Sequence, residues 1–458
     1  MTALPDGILI GWYGDDFTGS AAVMEVLSFS GIPALLFFAP PTSEQLARNP
    51  DIRAIGIAST ARTFSPQRMR AELPEALRAL RALRPQILHY KVCSTLDSAP
   101  HIGSIGCAAE IGLEVCGADV APVLIAAPRM GRYQAFGTLF AENAGAVHRL
   151  DRHPVMSHHP VTPMDESDIA RHLAAQTHLR TATLPLTALA APLQGMARLR
   201  ESGVRLACLD AMDDTHMQSC GALLWKDRHR APFVVGSQGV EYALIAHWQQ
   251  AGLLPPCPPP PSLGRADGMA VVSGSVSATT AAQIDWAEAH GFEPIALDPA
   301  GLIDASAFAL RQQAVAAALK ALSAGRDPLL YTARGPQDPA IGQYDAVLSK
   351  AGISKREAGE RLGSALGVIL EEIVRTAKLR RAIISGGDTS GFASRAFGAY
   401  ALQALAPTIP GASICGLRTQ NAHDGLQLAL KGGQMGSPDY FGWIRDGGGE
   451  TPRTKAGL

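Results

Sequence analysis

ILIGWYGDDFTGSAAVMEVLSFSG, Ile8 to Gly31, reads as a short apolar strand, an acidic Gly/Thr loop and a helical pattern that stops at a glycine. Ile8, Leu9 and Ile10 are the strand signal, Gly14 and Gly19 permit a sharp turn, and Ala21, Ala22, Val23, Val26 and Leu27 supply an apolar helix face. A strand, loop and helix in this order predict an open α/β sheet, in which ligands bind beyond the carboxyl ends of the strands. Asp15, Asp16, Thr18 and Ser20 then stand at the mouth of a site. Adjacent carboxylates there can orient a hydroxyl, accept its proton or hold a cation. An acidic helix cap is the competing reading for one of them.

At 458 residues the chain is too long for one ordinary core, so two domains are expected. Acids and bases nearly cancel, at a formal net charge of -1, which removes the electrostatic case for nucleic acid or an anionic membrane as partner. No run of about 18 apolar residues appears, and MTALPDG leads almost directly into the first strand, so a cytoplasmic protein without a signal peptide is expected. The 7 cysteines form no C-x-x-C pair and are odd in number, which fits a reducing compartment without structural zinc.

Outward from the first unit, Ala34 to Phe38, Ile52 to Ala58 and Ile87 to Tyr90 read as buried strands, and Pro66 to Leu83 as a helix with Leu73, Leu77 and Leu80 on one face. Alternating strands and helices predict a mostly parallel sheet. The strand ending at Tyr90 runs into Lys91-Val92-Cys93-Ser94-Thr95-Leu96-Asp97-Ser98. There Lys91 could pair with a substrate carboxylate while Ser94 and Thr95 donate to it; a loop that bonds its own backbone is the alternative. Val123 to Ala127 repeats the scheme and leads into Arg129, a side chain suited to a bidentate grip on an anion. Val147 to Met164 holds His148, His153, His158 and His159, but the spacing fits no compact zinc pattern and the prolines favour a crossing loop. Later elements are a helix from Glu166 to Thr177, strands at Val204 to Leu209 and Phe233 to Val235, and a helix from Val240 to Gln250.

LLPPCPPPPSLG, from Leu253 to Gly264, marks a stiff linker, placing a first domain at 1–252, a linker at 253–268 and a second domain at 269–444. Residues 445–458 read as a flexible tail. The second domain repeats the strand–loop–helix theme with neutral loops. Ser273, Ser275 and Ser277 follow an apolar strand, and Gly386, Gly387, Asp388 and Thr389 follow the strand Arg381 to Ile384. Paired glycines form an amide nest for phosphate, hydroxyls donate to it, and Asp388 could reach a metal ion. Gly432 and Gly433 form a third cluster, read as a helix stop with one glycine more than a stop requires. Neither a Walker loop nor a G-x-G-x-x-G fingerprint is present. Charged strand ends in one half and phosphate-suited loops in the other fit phosphoryl transfer, which needs positioning and charge neutralisation, commonly with Mg2+.

G-D-D-F-T-G-S at Gly14 to Ser20, Y-K-V-C-S-T-L-D-S at Tyr90 to Ser98, S-G-S-V-S at Ser273 to Ser277 and S-G-G-D-T-S-G at Ser385 to Gly391 together resemble the four-carbon acid sugar kinase family, in motif order and over nearly the whole chain. The resemblance implies two three-layer α/β domains with largely parallel sheets and a cleft between them, an N-terminal acid-sugar-binding domain and a C-terminal nucleotide-binding domain. It further implies ATP- and Mg2+-dependent phosphorylation of the terminal hydroxyl of threonate, erythronate or a 3-oxo-tetronate. Carried over by motif, Asp16 orients or deprotonates that hydroxyl beside Asp15 and Thr18. Lys91, Ser94, Thr95 and Arg129 hold the sugar acid, while Ser273, Ser275, Ser277, Gly386, Gly387, Asp388, Thr389, Gly432 and Gly433 surround ATP; the metal ligands stay open. Many members carry Asp where this chain has Cys93, and Gly236 to Val240 departs from the best-known members; both positions bear on the acceptor rather than the reaction. A non-catalytic sensor of nucleotide or sugar acid, or a kinase for another chain length, is the alternative. A homodimer is expected on base rates alone.

Overall fold

β1 (Ile10–Gly14) is buried at all five residues, as a strand enclosed by parallel neighbours must be. It starts later than the Ile8 to Ile10 signal and runs to the glycine before the acidic pair. The computed structural model describes residues 3–304, 307–387, 391 and 393–449. These divide into two compact units between Pro258 and Pro259, inside the proline-rich stretch.

In the first unit, β2 (Ala34–Phe37), β3 (Ala54–Ala58), β4 (Ile87–Lys91) and β5 (Ala121–Leu124) follow β1. Then come β6 (Arg132–Ala135), β7 (Thr138–Asn143) and β8 (Ala146–Arg149), followed by β9 (Thr181–Leu184), β10 (Leu206–Leu209) and β11 (Phe233–Gly236). The main sheet has the order β2-β3-β1-β4-β11-β5-β10-β9, with every pairing parallel. The chain lays β3 and β2 on one side of β1 and then crosses to place β4 on the other. The carboxyl ends of β1 and β4 therefore flank the switch point, where open α/β sheets bind ligands. Helix Pro66–Ala82 starts at a Ser65 cap and buries Leu73, Leu77 and Leu80 completely, each burial contributing about 1.5–3 kcal/mol.

β6, β7 and β8 form a separate antiparallel meander, whose last strand takes in the first residues of the crossing loop expected from Val147. Its turns, Phe136-Gly137 and Ala144-Gly145, have positive φ at both residues, the geometry that matches a tight hairpin to strand twist. Buried Asp210 fixes the first turn by accepting the N–H groups of Phe136 at 2.6 Å and Gly137 at 3.0 Å. The helix expected over Glu166 to Thr177 is confined to Ile169–Ala174, capped by Asp168. His153 caps backbone through Nδ1, which accepts from Val155 and Met156 at 3.2 Å.

The second unit contains β12 (Ala270–Ser273), β13 (Phe292–Ala296), β14 (Asp327–Tyr331), β15 (Arg381–Ser385), β16 (Ala399–Ala406), β17 (Ile414–Thr419) and β18 (Gln427–Lys431). Their order is β13-β14-β12-β15-β18-β17-β16; β13 to β18 in this list pair in parallel, and β17 and β16 close it antiparallel. Its core gathers Val271, Phe292, Leu329, Ile383, Tyr440 and Phe441. The Lys431-Gly432-Gly433 stretch therefore follows a strand, not a helix: Leu428, Ala429 and Leu430 are buried on a parallel strand. Arg445 is no part of a tail; it ends helix Tyr440–Arg445, is buried, and pairs with Asp327 at 3.5 Å. No helix among the described residues is long and apolar enough to cross a membrane.

Candidate functional site

At the switch point of the first unit, Asp15 continues β1 through its N–H bond to Lys91 O at 3.0 Å, so the acidic pair and the β4 loop are tied by backbone. Arg62, on the loop after β3, was not singled out from sequence, and it is the hub of this cluster. Its Nη2 lies 2.8 Å from Asp15 Oδ1 and 2.9 Å from Asp16 Oδ1, and its Nη1 3.6 Å from Asp97 Oδ2. One guanidinium thus joins three loops, those following β1, β3 and β4. The signal that could have found it is register: in a parallel sheet all strand-end loops emerge on one edge, so an Arg four residues past Ala58 belongs beside the acids.

The two aspartates are not equivalent. Asp15 is buried, and burial pushes its pKa up to about 6 despite the opposing charges of Arg62 and Lys91, with Asp16 adding to the rise. Arg62, conversely, is held firmly protonated by Asp15 and its other acidic neighbours. Asp16 keeps its side chain 26% exposed. It does cap helix Phe17–Phe29, as the competing reading held, through Oδ1, which accepts from Gly19 N–H at 3.2 Å. Its Oδ2 has no partner among the described residues, so one oxygen anchors the carboxylate and the other is left for a ligand.

Lys91 is 2% exposed and donates to Val92 O at 2.7 Å. It forms no ion pair with the described residues, and Nζ stands with Asp16 Oδ1 against the same face of Gly19. A Cβ there would lie 2.5 Å from Nζ and 2.4 Å from Oδ1, so only glycine lets the cation and the cap approach together. Thr18 and Ser94 are partly buried, with hydroxyls that have no protein partner among the described residues. Thr95 faces Cys93, with Oγ1 3.1 Å from Sγ. Buried Leu96 takes φ +53°, a strained turn that brings Asp97 back toward Arg62. Arg129 is not brought into this cluster: its side chain is 61% exposed and its Nε donates to Asp214 at 3.4 Å.

At the switch point of the second unit, the loops after β12, β15 and β18 meet. Ser277 caps helix Ala278–Ala289, and its Oγ donates to Gly433 O at 2.5 Å. Thr280 Oγ1 donates to the same carbonyl at 2.8 Å and lies 3.0 Å from Ser275 Oγ, from which it can accept. Lys431, also missed in the sequence because a buried strand looked like a helix end, is 1% exposed and reaches Thr280 Oγ1 at 3.3 Å and Gly432 O at 3.1 Å. Burial pulls its pKa down to about 8. A Cβ at Gly433 would meet Ser275 Oγ at 2.4 Å, so this position must be glycine for the loops to close. Ser273 is buried beneath them and accepts from Ser275 N–H at 3.4 Å. Gly386, at φ +135°, donates to Lys431 O at 2.9 Å, and Gly387 is exposed. Asp388 and Thr389 lie outside the described residues.

The arrangement is that of an acid-bearing acceptor site in one unit and a hydroxyl- and lysine-lined anion site in the other. Comparison with known proteins gives each unit a family. Residues 10–244 match a family described as a sugar-binding N-terminal domain, and residues 270–441 one described as a nucleotide-binding C-terminal domain. The chain is 42% identical to a 3-oxo-isoapionate kinase of Paraburkholderia graminis, across 97% of this chain and 96% of that one. It is 31% identical to a 3-oxo-tetronate kinase of Pseudomonas fluorescens, across 94% and 95%. A crystal structure of a Salmonella typhimurium LT2 protein, described as a tRNA synthase, superposes with a TM-score of 0.76 at 28% identity, covering 95% of this chain and 98% of that one; it contributes the fold. The chain belongs to the four-carbon acid sugar kinase family and is a sugar-acid kinase.

Proposed function

We propose that this kinase transfers the γ-phosphoryl group of ATP to the terminal hydroxyl of a 3-oxo sugar acid, of the isoapionate type first and the tetronate type second. The observation that carries the reading is the carboxylate of Asp16, fixed through Oδ1 and open at Oδ2, on the loop at a switch point. Phosphoryl transfer asks the protein chiefly to position the nucleophile and neutralise charge. Asp16 Oδ2 accepts the hydrogen of the attacking hydroxyl, while Thr18, Lys91 and Ser94 orient the acid. Asp15 serves indirectly by holding Arg62 in place. The substrate order follows the stronger likeness to the 3-oxo-isoapionate kinase; threonate and erythronate remain comparison substrates.

The C-terminal loops fit a nucleotide phosphate: Ser275, Ser277 and Thr280 supply hydroxyls, Lys431 a cation, and Gly433 the space that a side chain would fill. With Gly386, Gly387, Gly432 and, by motif, Asp388 and Thr389, these residues would hold ATP, whose role is to supply the phosphoryl group. Mg2+ would be held mainly by the nucleotide phosphates and water with one or two carboxylates, by motif Asp388, and would neutralise phosphate charge there; among the described residues no three His, Cys, Asp or Glu side chains are grouped as a metal cage. The test is ADP release from ATP and Mg2+ against 3-oxo-isoapionate, 3-oxo-tetronate, threonate and erythronate, with Asp16→Asn alongside. Turnover on a 3-oxo acid that the variant loses supports the reading. Nucleotide binding without turnover on any acid would replace it with the sensor.

A further inference from the structure

Four cations stand on or beside the strand-end loops of the sugar-binding domain, and a substrate carboxylate needs one whose charge is not already neutralised. Arg62 is shared by three carboxylates. Arg129 is exposed and paired with Asp214. Lys91 is buried and forms no ion pair among the described residues. The fourth is Arg132, the first residue of β6.

We propose that Arg132, together with Lys91 and in place of Arg129, receives the carboxylate of the sugar acid; this rests on the kinase reading above. The Nη1 of Arg132 is anchored to three backbone carbonyls, Met130 at 3.0 Å, Gly131 at 3.2 Å and Glu142 at 3.2 Å. Carbonyls fix a guanidinium without cancelling its charge, whereas a carboxylate does both; the Glu142 carboxylate acts on Arg132 without forming an ion pair with it. Its Nε is buried with no hydrogen-bond partner, and Nη2 has none among the described residues. A buried N–H left unpaired costs about 1–3 kcal/mol, which a ligand oxygen would offset. The backbone of Arg132 pairs with Ala127, Ala127 N–H to Arg132 O at 2.9 Å and Arg132 N–H to Ala127 O at 3.2 Å, so Arg132 stands on the loop after β5 at the carboxyl edge of the sheet that also carries the loop after β4. The hydroxyl end and the carboxylate end of the acid then have separate guanidiniums. Arg62 organises the acids at Asp16, and Arg132 meets the anion.

The test compares kcat/KM for the best acid of the panel with kcat/KM for the amide of that acid, which keeps the shape and removes the charge. A charge-assisted contact makes the wild type prefer the acid by about 10- to 100-fold. Arg132→Met should lower that preference at least tenfold while the KM for ATP stays put, and Arg132→Lys should restore part of it. Cys93→Asp, which places a carboxylate beside Arg132, should lower the preference as well, with Cys93→Ser as its neutral control. If Arg132→Met does not fold, the lysine and Cys93 variants carry the test. A preference that persists in all of these and collapses in Arg129→Ala overturns the assignment to Arg132. Absence of wild-type turnover on any sugar acid would instead overturn the kinase reading on which it rests.

Discussion

The two domains solve the same topological problem and fill it with opposite chemistry. Each lays its third strand beside its first, its second outside the third, and its fourth on the first strand's other flank, so β2-β3-β1-β4 in one corresponds to β13-β14-β12-β15 in the other. In the sugar-binding domain the resulting edge carries Asp15, Asp16, Asp97 and Arg62 in one ion cluster. In the nucleotide-binding domain it carries, among the described residues, hydroxyls, glycines and the buried cation Lys431. The fold chooses the place, and the loop side chains choose the ligand. On the reading proposed above, an acceptor hydroxyl needs an oxygen to take or orient its hydrogen, which suits an acidic edge. A nucleotide phosphate brings its own negative charge, so the other has donors and a lysine.

If that division is right, substitutions should separate cleanly by domain. The largest effect is expected from Asp16→Asn: removing the acceptor of the hydroxyl hydrogen should cut kcat about 10²- to 10⁴-fold and leave nucleotide affinity, measured by calorimetry, unchanged. A fall in ATP affinity of similar size would break the comparison. Arg62→Met should come next, leaving buried Asp15 without its partner. A loss of about 3 kcal/mol is expected in urea unfolding monitored by circular dichroism, and Arg62→Lys should recover only part of it because a lysine cannot bridge three carboxylates.

Lys431→Met should raise the KM for ATP about 10- to 100-fold and leave the KM for the sugar acid alone. The same residue predicts a pH signature. With its pKa lowered to about 8, Lys431 is charged below that value and neutral above it, so wild-type affinity for ATP should weaken as pH rises through about 8. The methionine variant should lack this limb. The smallest effect belongs to Asp15, whose pKa is raised to about 6. Its carboxylate holds Arg62 only when ionised, so kcat/KM for the acid should fall below about pH 6. Asp15→Asn should flatten that limb, and a limb persisting in the variant would assign it to another group.

The opening strand, loop and helix could be read in the sequence because strand hydrophobicity, glycine placement and acidic residues all fall within one continuous segment. The parallel sheet followed from the same alternation. What escaped reading was long-range. Arg62 looks like an ordinary loop arginine until parallel pairing of β1, β3 and β4 brings their carboxyl ends to one edge. Lys431 was hidden because ALKGG suits a helix end as well as a strand end, and only pairing with β15 decides between them. The meander of β6, β7 and β8 escaped because its strands are short and partly polar, and its turns are specified from afar by Asp210. Arg129 follows a strand in the sequence, yet its side chain points to solvent and Asp214, away from the Arg62 cluster, which only the fold could show.

The guanidinium of Arg62 also constrains how this lineage can change. Because one side chain answers to acids on two other loops, no member of the quartet can mutate alone without leaving a buried charge unbalanced. The three loops therefore cannot drift independently, and viable sequences must preserve or exchange these residues as a set. A position outside that lock, such as Cys93, can change without unbalancing it. New acceptors can evolve there, one substitution after another, while the apparatus that aims the hydroxyl is inherited intact.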